Sequence, residues 1–396
     1  MHHLSHRAWP RAGLFGAGAL TALCLAPAPG RAADIVIGAT ASETGAFAVD
    51  ANYHLKGEEL AVDDANAHGG WLGRKVALKH YDDKSDPGTA VRLYTRLVTE
   101  DRVDLLIGPY SSGITQAVVP LINKYKMATI DPGASLPDIF AAGNKWNFQG
   151  LPPSSTYLDA LLPLAKDHGA KTVAILALKS AYSLACASAR TAQAKQLGFN
   201  IVYQTTYTLP QPDFSSIALA VKNADPDVVI ACSYFPDSVG IAQGLHQDQF
   251  APKFLAATIG PAEAEFPKTL GPVADGIMSN TSWWPTLKTP DNAGFVARYK
   301  AKYNGETPDY HAASGYAAVQ TLGAAVAATG STDQEKIRDW LTKNEVPTVQ
   351  GTFKVDANGL STGFHQYMLQ IQNGALKLIE PPADAQAKPI IPYTGS

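Results

Sequence analysis

Cysteine is scarce in this chain, which has only three among 396 residues. One of them, Cys24, lies in an N-terminal segment that we expect to be removed, so Cys186 and Cys232 would be the only thiols of the mature protein. Two cysteines allow at most one disulfide, which excludes a disulfide scaffold and a zinc site built from cysteines. We expect two buried thiols, and the sequence leaves their pairing open.

Long apolar runs are also missing from the body of the chain. The run at 12–26 follows two arginines and is too short to span a bilayer. These proportions are typical of a secretory signal peptide, which we expect to comprise residues 1–33. Leu23 rather than a small residue precedes Cys24, which argues against a lipid anchor. We therefore expect an exported, soluble protein.

An excess of charge of one sign is absent too, because the formal net charge is only −3. Without a basic stripe, a nucleic-acid partner is not expected. The sequence contains no G-x-S-x-G, H-E-x-x-H or P-loop motif, and its histidines show no metal-ligand spacing. We expect no metal, no cofactor and no catalysis. A hydrolase that uses Ser112 stays open, since its histidine and acid would come from distant positions.

Strand-like apolar runs alternate with helical patterns along the chain. The first run begins at Ile35, and the segment 90–98 keeps the apolar spacing of an amphipathic helix. After a proline-rich break at 151–153 the same alternation restarts. This pattern predicts parallel sheets with right-handed crossovers, hence an α/β fold with two Rossmann-like lobes. Towards the end, Asn-Gly at 373–374 predicts a β-hairpin, and a loose tail would follow from 381.

Two loops are candidates for ligand binding, because each follows a buried strand and opens a helix. They are Pro-Tyr-Ser-Ser-Gly at 109–113 and Asp-Pro-Gly-Ala-Ser at 131–135. Ligands of parallel sheets bind beyond the carboxyl ends of the strands, where helix N-termini present free N–H groups. Serine hydroxyls add donors, so the loops suit a carboxylate. The alternative is that serine and glycine only cap the two helices.

Five motifs connect this chain to a known family. They are Gly-Ala-x-x-Ser-x-Thr-Gly at 38–45, Asp-Asp-Ala-Asn-Ala-His-Gly-Gly at 63–70, Tyr-Asp-Asp-Lys-Ser-Asp-Pro at 81–87, Ile-Gly-Pro-Tyr-Ser-Ser-Gly at 107–113 and Pro-Gly-Ala-Ser at 132–135. With them, nearly all of the mature chain resembles the leucine/isoleucine/valine-binding protein family. These are type I periplasmic solute-binding proteins of branched-chain amino acid and amide ABC transporters.

The resemblance implies an architecture and a partner. Lobe 1 would comprise 34–150 and 283–349, and lobe 2 would comprise 151–282 and 350–380, joined by a three-segment hinge. Residues 381–396 would form a C-terminal tail. The protein would close around a small ligand and deliver it to the membrane permease of an ABC transporter. We further expect a monomer.

The resemblance also implies site residues. In the family, the ligand carboxylate is held by a serine that matches Ser112 and by a loop that matches Gly133, Ala134 and Ser135, which agrees with the loop argument. Other candidates for the pocket are tyrosines that match family tyrosines of the second lobe, and further aromatic or imidazole side chains: Tyr182, Tyr234, Tyr110, Phe47, His311 and Trp283.

One departure from the family bears on the ligand. Amino-acid-binding members carry a glutamate that accepts the ligand's ammonium where this chain has Thr258. A buried ammonium without an anionic partner is costly, and Asp237 or Glu263 would have to supply the charge. A receptor for branched-chain amino acids and a receptor for amine-free aromatic acids therefore both stay open. An amide-sensing regulator is a third hypothesis, against which the signal peptide argues.

Overall fold

The computed structural model of the protein describes residues 33–141, 143–211 and 213–395. The predicted signal peptide lies outside these ranges except for its last residue. Within the same ranges, none of the helices combines the length and the apolar character that a membrane crossing requires.

The first lobe is built on a five-stranded, fully parallel sheet. Its strands are β1 (Ile35–Ala41), β2 (Val76–Asp82), β3 (Leu105–Ile107), β4 (Thr129–Asp131) and β5 (Asn147–Gln149). The helices that join the first four strands are α1 (Ala48–Ala67), α2 (Pro87–Thr99) and α3 (Ser112–Tyr125). The strand order is β2-β1-β3-β4-β5, so the carboxyl ends of β3 and β4 are neighbours. The two candidate loops therefore begin side by side.

The strands of the rest of the chain are β6 (Thr172–Leu178), β7 (Asn200–Tyr207), β8 (Val228–Cys232), β9 (Phe254–Ala257), β10 (Met278–Thr281), β11 (Val346–Thr348), β12 (Gly351–Phe353), β13 (Tyr367–Gln372) and β14 (Ala375–Glu380). All but β11 and β12 form the sheet of the second lobe, in the order β14-β13-β10-β9-β8-β6-β7. Asn373 and Gly374 both have positive φ, 52° and 70°, and connect the antiparallel strands β13 and β14. The predicted hairpin is confirmed.

The later helices are α4 (Leu161–Asp167), α5 (Ala181–Leu197), α6 (Ser215–Ala224), α7 (Phe235–Gln247), α8 (Glu265–Leu270), α9 (Asn292–Lys302), α10 (Tyr310–Thr329) and α11 (Gln334–Leu341). Helices α9 and α10 contact α1 of the first lobe, and α10 also contacts β3 and β4. The chain therefore returns to the first lobe before β13 and β14 complete the second sheet. Two α/β lobes confirm the predicted fold class, whereas the boundaries at 150, 282 and 349 stay predictions.

Each lobe has its own buried apolar core. Ile35 and Ile37 of β1 are fully buried in the first, and Ile175 and Leu176 of β6 in the second. Burying such a side chain contributes about 1.5–3 kcal/mol, so the central strands supply much of the stability of each lobe.

Helices α1 and α10 lie very close together because each has a glycine at the contact. A Cβ atom at Gly57 would lie 2.0 Å from the carbonyl oxygen of Ala312. One at Gly315 would lie 2.3 Å from the carbonyl oxygen of His54. Any larger side chain would push the helices apart. Their approach brings the rings of His54 and His311 to a centroid distance of 5.2 Å.

The C-terminal segment packs on the second lobe, in contrast to the loose tail that its composition predicts. The side chain of Tyr393 is only 5% exposed, and its hydroxyl donates to the carbonyl of Val273 at 2.7 Å. The backbone N–H of Ile390 donates to Gln370 Oε1 at 2.8 Å. These partners are distant in sequence, which is why local composition did not reveal them.

Candidate ligand-binding site

The loop after β3 presents Ser112 at the first turn of α3. Its side chain is 3% exposed, and its Oγ accepts the backbone N–H groups of Ser135 at 3.1 Å and Leu136 at 3.2 Å. A hydroxyl that accepts two hydrogen bonds keeps its own hydrogen for a third partner. Ser112 therefore joins the two candidate loops and still has a donor to offer. No imidazole is among the described partners of this hydroxyl, which leaves the hydrolase hypothesis without support.

The loop after β4 is organised by Asp131, which sequence reasoning did not single out. Its Oδ1 accepts the backbone N–H groups of Gly133 at 3.1 Å and Ala134 at 2.9 Å. The Asn147 side chain donates to the other oxygen at 3.3 Å. Burial raises the pKa of the Asp131 carboxyl to about 6, and these hydrogen bonds partly offset that effect. The Asp-Pro-Gly spacing was the available signal, since Asp accepts N–H groups two and three residues ahead.

Two tyrosines form the wall on the side of the second lobe. Tyr182 lies in the first turn of α5 and Tyr234 at the N-cap of α7, with ring centroids 5.2 Å apart. The hydroxyl of Tyr182 is buried without a hydrogen-bond partner, and burial raises its pKa well above the ordinary value. An unpaired buried donor is costly unless a ligand accepts from it.

A third group of rings closes the site. The Tyr110 hydroxyl lies 3.4 Å from Nε2 of His311. The ring of Phe47 lies 5.8 Å from that of Tyr110 and 5.0 Å from that of Tyr234. Phe47 thus packs against one tyrosine from each lobe and covers the site.

These elements line a small cavity between the lobes. Seven of the residues named from the sequence line it: Ser112, Gly133, Ser135, Tyr182, Tyr234, Tyr110 and His311. Four further residues line it that sequence reasoning missed: Leu151, Tyr157, Ile259 and Tyr310. Tyr310 directly precedes His311, and Tyr157 follows the proline-rich break, but neither carries a motif.

Four of the named residues do not line this cavity. Ala134 directs its N–H at Asp131, and Phe47 covers the cavity from outside, as described above. Trp283 is fully buried, and its Nε1 donates to Asn292 Oδ1 at 2.8 Å and to the carbonyl of Val349 at 3.1 Å. It lines a different cavity, which places it away from the one described here.

Thr258 is the fourth named residue that does not line the cavity, and its hydroxyl is hydrogen-bonded to a neighbouring loop. Its Oγ1 donates to the carbonyl of Ser233 and accepts that residue's N–H, both at 2.8 Å. Asp237, a possible substitute acid, accepts the hydroxyl of Tyr207 at 2.6 Å and the N–H of Tyr234 at 2.9 Å. Neither residue is among those that line the cavity, and the hydrogen bonds of each hold it against its own lobe.

Glu263, the other possible acid, is fully buried, and neither of its carboxyl oxygens has a hydrogen-bond partner. Burial, followed by the negative charge of Asp50, raises its pKa well above the ordinary value. The carboxyl lies behind the cavity wall, 3.3 Å from Nδ1 of His311.

Known proteins resemble this chain over most of its length. The model of the family described as periplasmic binding protein matches residues 34–375. The Leu/Ile/Val-binding protein BraC3 of Rhizobium johnstonii is 30% identical over 331 residues, which is 83% of this chain and 89% of that protein.

Solved structures share the fold. The branched-chain amino acid transporter substrate-binding protein LivJ of Streptococcus pneumoniae, in complex with isoleucine, has a TM-score of 0.78 and 26% identity, covering 88% of this chain and 100% of that one. An ABC-transporter solute-binding protein of R. palustris in complex with benzoate has a TM-score of 0.78 at 22% identity, covering 90% and 98%. This chain therefore belongs to the periplasmic binding protein family, as a solute-binding protein of the Leu/Ile/Val-binding type that serves ABC transporters.

Proposed function

We propose that the protein is the receptor of an ABC uptake transporter for a small aromatic carboxylic acid without a charged amine. One observation carries this choice of ligand. The cavity has hydroxyl donors for a carboxylate, but no acidic side chain is among its described lining residues. A ligand ammonium in this cavity would be buried without an anionic partner, which costs several kcal/mol.

Two serines of the first lobe are suited to bind the carboxylate group of the ligand. The Ser112 hydroxyl retains a hydrogen to donate, and Ser135 lines the cavity beside it. Ser112 also begins α3, a helix of 14 residues, and the partial positive charge of a helix N-terminus favours an anion there.

The remaining wall of the cavity is suited to a flat, apolar ligand. Five tyrosines line the cavity: Tyr110, Tyr157, Tyr182, Tyr234 and Tyr310. Aromatic faces and edges pack well against an aromatic ring. The benzoate complex of the R. palustris protein shows that the fold accommodates such a ligand.

A branched-chain amino acid is the second candidate, favoured by relatives named Leu/Ile/Val-binding proteins and by the isoleucine complex. In that case the ammonium would have to reach Glu263, the one candidate acid whose oxygens are free of hydrogen bonds.

Calorimetry with the mature protein distinguishes the two ligand classes. Benzoate and 4-hydroxycinnamate are titrated beside phenylalanine, leucine, isoleucine and valine. We expect binding of at least one amine-free acid and no heat from the aliphatic amino acids. Tight binding of leucine or valine with no response to benzoate or 4-hydroxycinnamate would reject the aromatic-acid proposal in favour of the second candidate.

Export, hinge closure and a monomeric state complete the proposal. Ligand that binds only the closed form stabilises it by about 2.7 kcal/mol at a hundredfold excess over Kd. We expect a ligand that binds by calorimetry to raise the melting temperature and to reduce the radius of gyration in X-ray scattering. Identical scattering curves with and without that ligand would contradict closure.

A further inference from the structure

A second cluster of polar side chains lies behind the ligand cavity. Asp50 of α1, Glu263 after β9 and His311 of α10 each offer one donor atom, and these atoms all lie within 4.8 Å of one another. Each of the three residues is at most 1% exposed. Asp50 and His311 come from helices of the first lobe, whereas Glu263 follows a strand of the second. The cluster is therefore complete only when the lobes are together.

The donor atoms of this cluster are largely unpaired. Asp50 Oδ1 and both carboxyl oxygens of Glu263 make no well-formed hydrogen bond, although Glu263 lies against Asp50 and His311. Nε2 of the adjacent His54 has no partner either. Among the described residues, no lysine or arginine forms an ion pair with Asp50 or Glu263. Two carboxyl groups side by side in a dry interior are unfavourable unless a cation or a proton compensates them. Buried carboxylate oxygens and an imidazole that converge from two lobes form a donor set that a cation can take in place of a proton.

We propose that this cluster binds one divalent transition-metal ion of the Zn²⁺ class and that the ion links the two lobes. Zinc takes imidazole nitrogen and carboxylate oxygen at about 2.0–2.2 Å, which places tetrahedral ligands about 3.4 Å apart. Glu263 Oε1 already lies 3.3 Å from His311 Nδ1. Asp50 would be the third ligand, since its carboxylate oxygen lies within 4.8 Å of the other two donor atoms, and water would be the fourth.

Groups around His311 support this assignment. Asp309 Oδ2 lies 3.0 Å from the same Nδ1, so the ion would replace the hydrogen that this nitrogen shares with Asp309 and would have a further carboxylate beside it. The other nitrogen, Nε2, faces the hydroxyl of Tyr110 in the cavity wall. A histidine that binds a metal through one nitrogen is usually oriented by a hydrogen bond from the other. The sequence predicted no metal because these donors come from distant positions without a recognisable spacing.

The position of His311 couples the ion to the ligand. Its ring lines the ligand cavity on one side and contacts Glu263 on the other. Ion and ligand would both favour the closed arrangement of the lobes, so each raises the affinity for the other.

Zinc titration of the full mature protein, after treatment with EDTA and dialysis, tests the site. We expect one equivalent of Zn²⁺ to bind, no comparable binding of Mg²⁺, and a rise in melting temperature that EDTA reverses. Glu263→Gln and Asp50→Asn should each weaken Zn²⁺ binding by more than about tenfold, since even outer-shell groups contribute about 10–100-fold. Glu265→Gln is the matched control, because this acid lies on α8 and contacts Tyr53 instead.

Two results overturn the proposal. One is the absence of Zn²⁺ binding to the wild type, and the other is equal Zn²⁺ affinity in Glu263→Gln and Glu265→Gln. Circular dichroism establishes whether each variant folds. If Glu263→Gln does not fold, Asp50→Asn takes its place in the comparison with Glu265→Gln. The ligand panel on metal-free protein reports on the proposed function separately. Leucine binding that Glu263→Gln abolishes, without Zn²⁺ binding, would assign the cluster to a ligand ammonium and reject the ion.

Discussion

The Oγ of Ser112 accepts a hydrogen bond from the backbone N–H of Ser135 at 3.1 Å. This contact joins the loops that follow two neighbouring strands of the first sheet. The N–H of Leu136 donates to the same oxygen, so one hydroxyl satisfies two buried backbone donors. Ser112 is thus both a structural link between the loops and a donor for a bound anion.

Replacing Ser112 with alanine should reduce stability as well as ligand binding. Two buried N–H groups would lose their acceptor, which costs about 1–3 kcal/mol of unfolding free energy. The lost hydrogen bond to a carboxylate should weaken binding by about 1.5–3 kcal/mol. Ser135→Ala is the comparison, because we expect it to weaken binding without the loss of stability. Urea unfolding and calorimetry separate the two effects, and a Ser112→Ala variant as stable as wild type would contradict the structural role.

Tyr182→Phe should weaken binding and leave the ligand-free protein intact. The Tyr182 hydroxyl makes no well-formed hydrogen bond in the protein and only approaches the side chain of Thr258, so its removal costs little internal hydrogen bonding. If it donates to the ligand carboxylate, binding should fall by about 1.5–3 kcal/mol. Tyr299→Phe is a matched control, since that hydroxyl is also buried and unpaired but lies in the core of the first lobe. Equal ligand affinities of the two variants would show that Tyr182 does not contact the ligand.

Gly133→Ala should separate the two loops. A Cβ atom there would lie 2.7 Å from the carbonyl oxygen of Pro109 and 2.9 Å from the Cα of Tyr110, and both are backbone atoms. Overpacking of this kind costs about 1–3 kcal/mol, and we expect ligand affinity to fall with it. Gly113→Ala is the control, because no atom lies within 4 Å of the added methyl group. A Gly133→Ala protein with normal melting temperature and affinity would show that the loops tolerate the displacement.

The carboxyl of Asp131 should make part of the stability depend on pH. Its pKa is raised from 3.8 to about 6, so the folded protein holds a proton that the unfolded chain has released. Stability from this group is present at low pH and is lost as pH rises from about 4 to about 6, on the order of 3 kcal/mol in all.

Asp131→Asn isolates that contribution, because the amide oxygen still accepts the loop N–H groups and does not titrate. Burial also raises the pKa of Asp237 to about 6, so wild type and variant must be compared at each pH. The unfolding free energy of wild type relative to the variant should fall between pH 4 and 6 and stay level above. A constant difference across that range would contradict the raised pKa.

Cys186 and Cys232 should form a disulfide once the protein is exported. Both are buried and free, with Sγ atoms 2.7 Å apart. In an oxidising compartment two thiols in contact lose two hydrogens to the cell's thiol oxidants and become a disulfide. Closing that loop would stabilise the fold by about 4 kcal/mol. Titration of free thiols in unfolded, unreduced protein from the periplasm should find none, and two free thiols would contradict the prediction.

Local patterns in the sequence were sufficient to predict the architecture. Alternation of strand and helix patterns predicted two α/β lobes, and Asn373-Gly374 predicted the hairpin that β13 and β14 form. These features follow from the periodicity of apolar residues and from local backbone preferences, both of which depend on residues that are neighbours along the chain. The same local logic placed the loops at 109–113 and 131–135 after buried strands, whereas the sheet order decided that these strands are neighbours.

Which side chains face the ligand depended on contacts between distant segments. The resemblance predicted Thr258 at a ligand-binding position, yet its hydroxyl is hydrogen-bonded to Ser233. Val349 helps to hold Trp283 in the core. Conversely, Glu263 and His311 are 48 positions apart along the chain, and their side chains come together at the contact between the two lobes. A residue's type and its neighbours along the chain determine strand, helix and turn. The direction of its side chain, and the partner that satisfies it, are decided by tertiary packing, because that partner comes from another part of the chain.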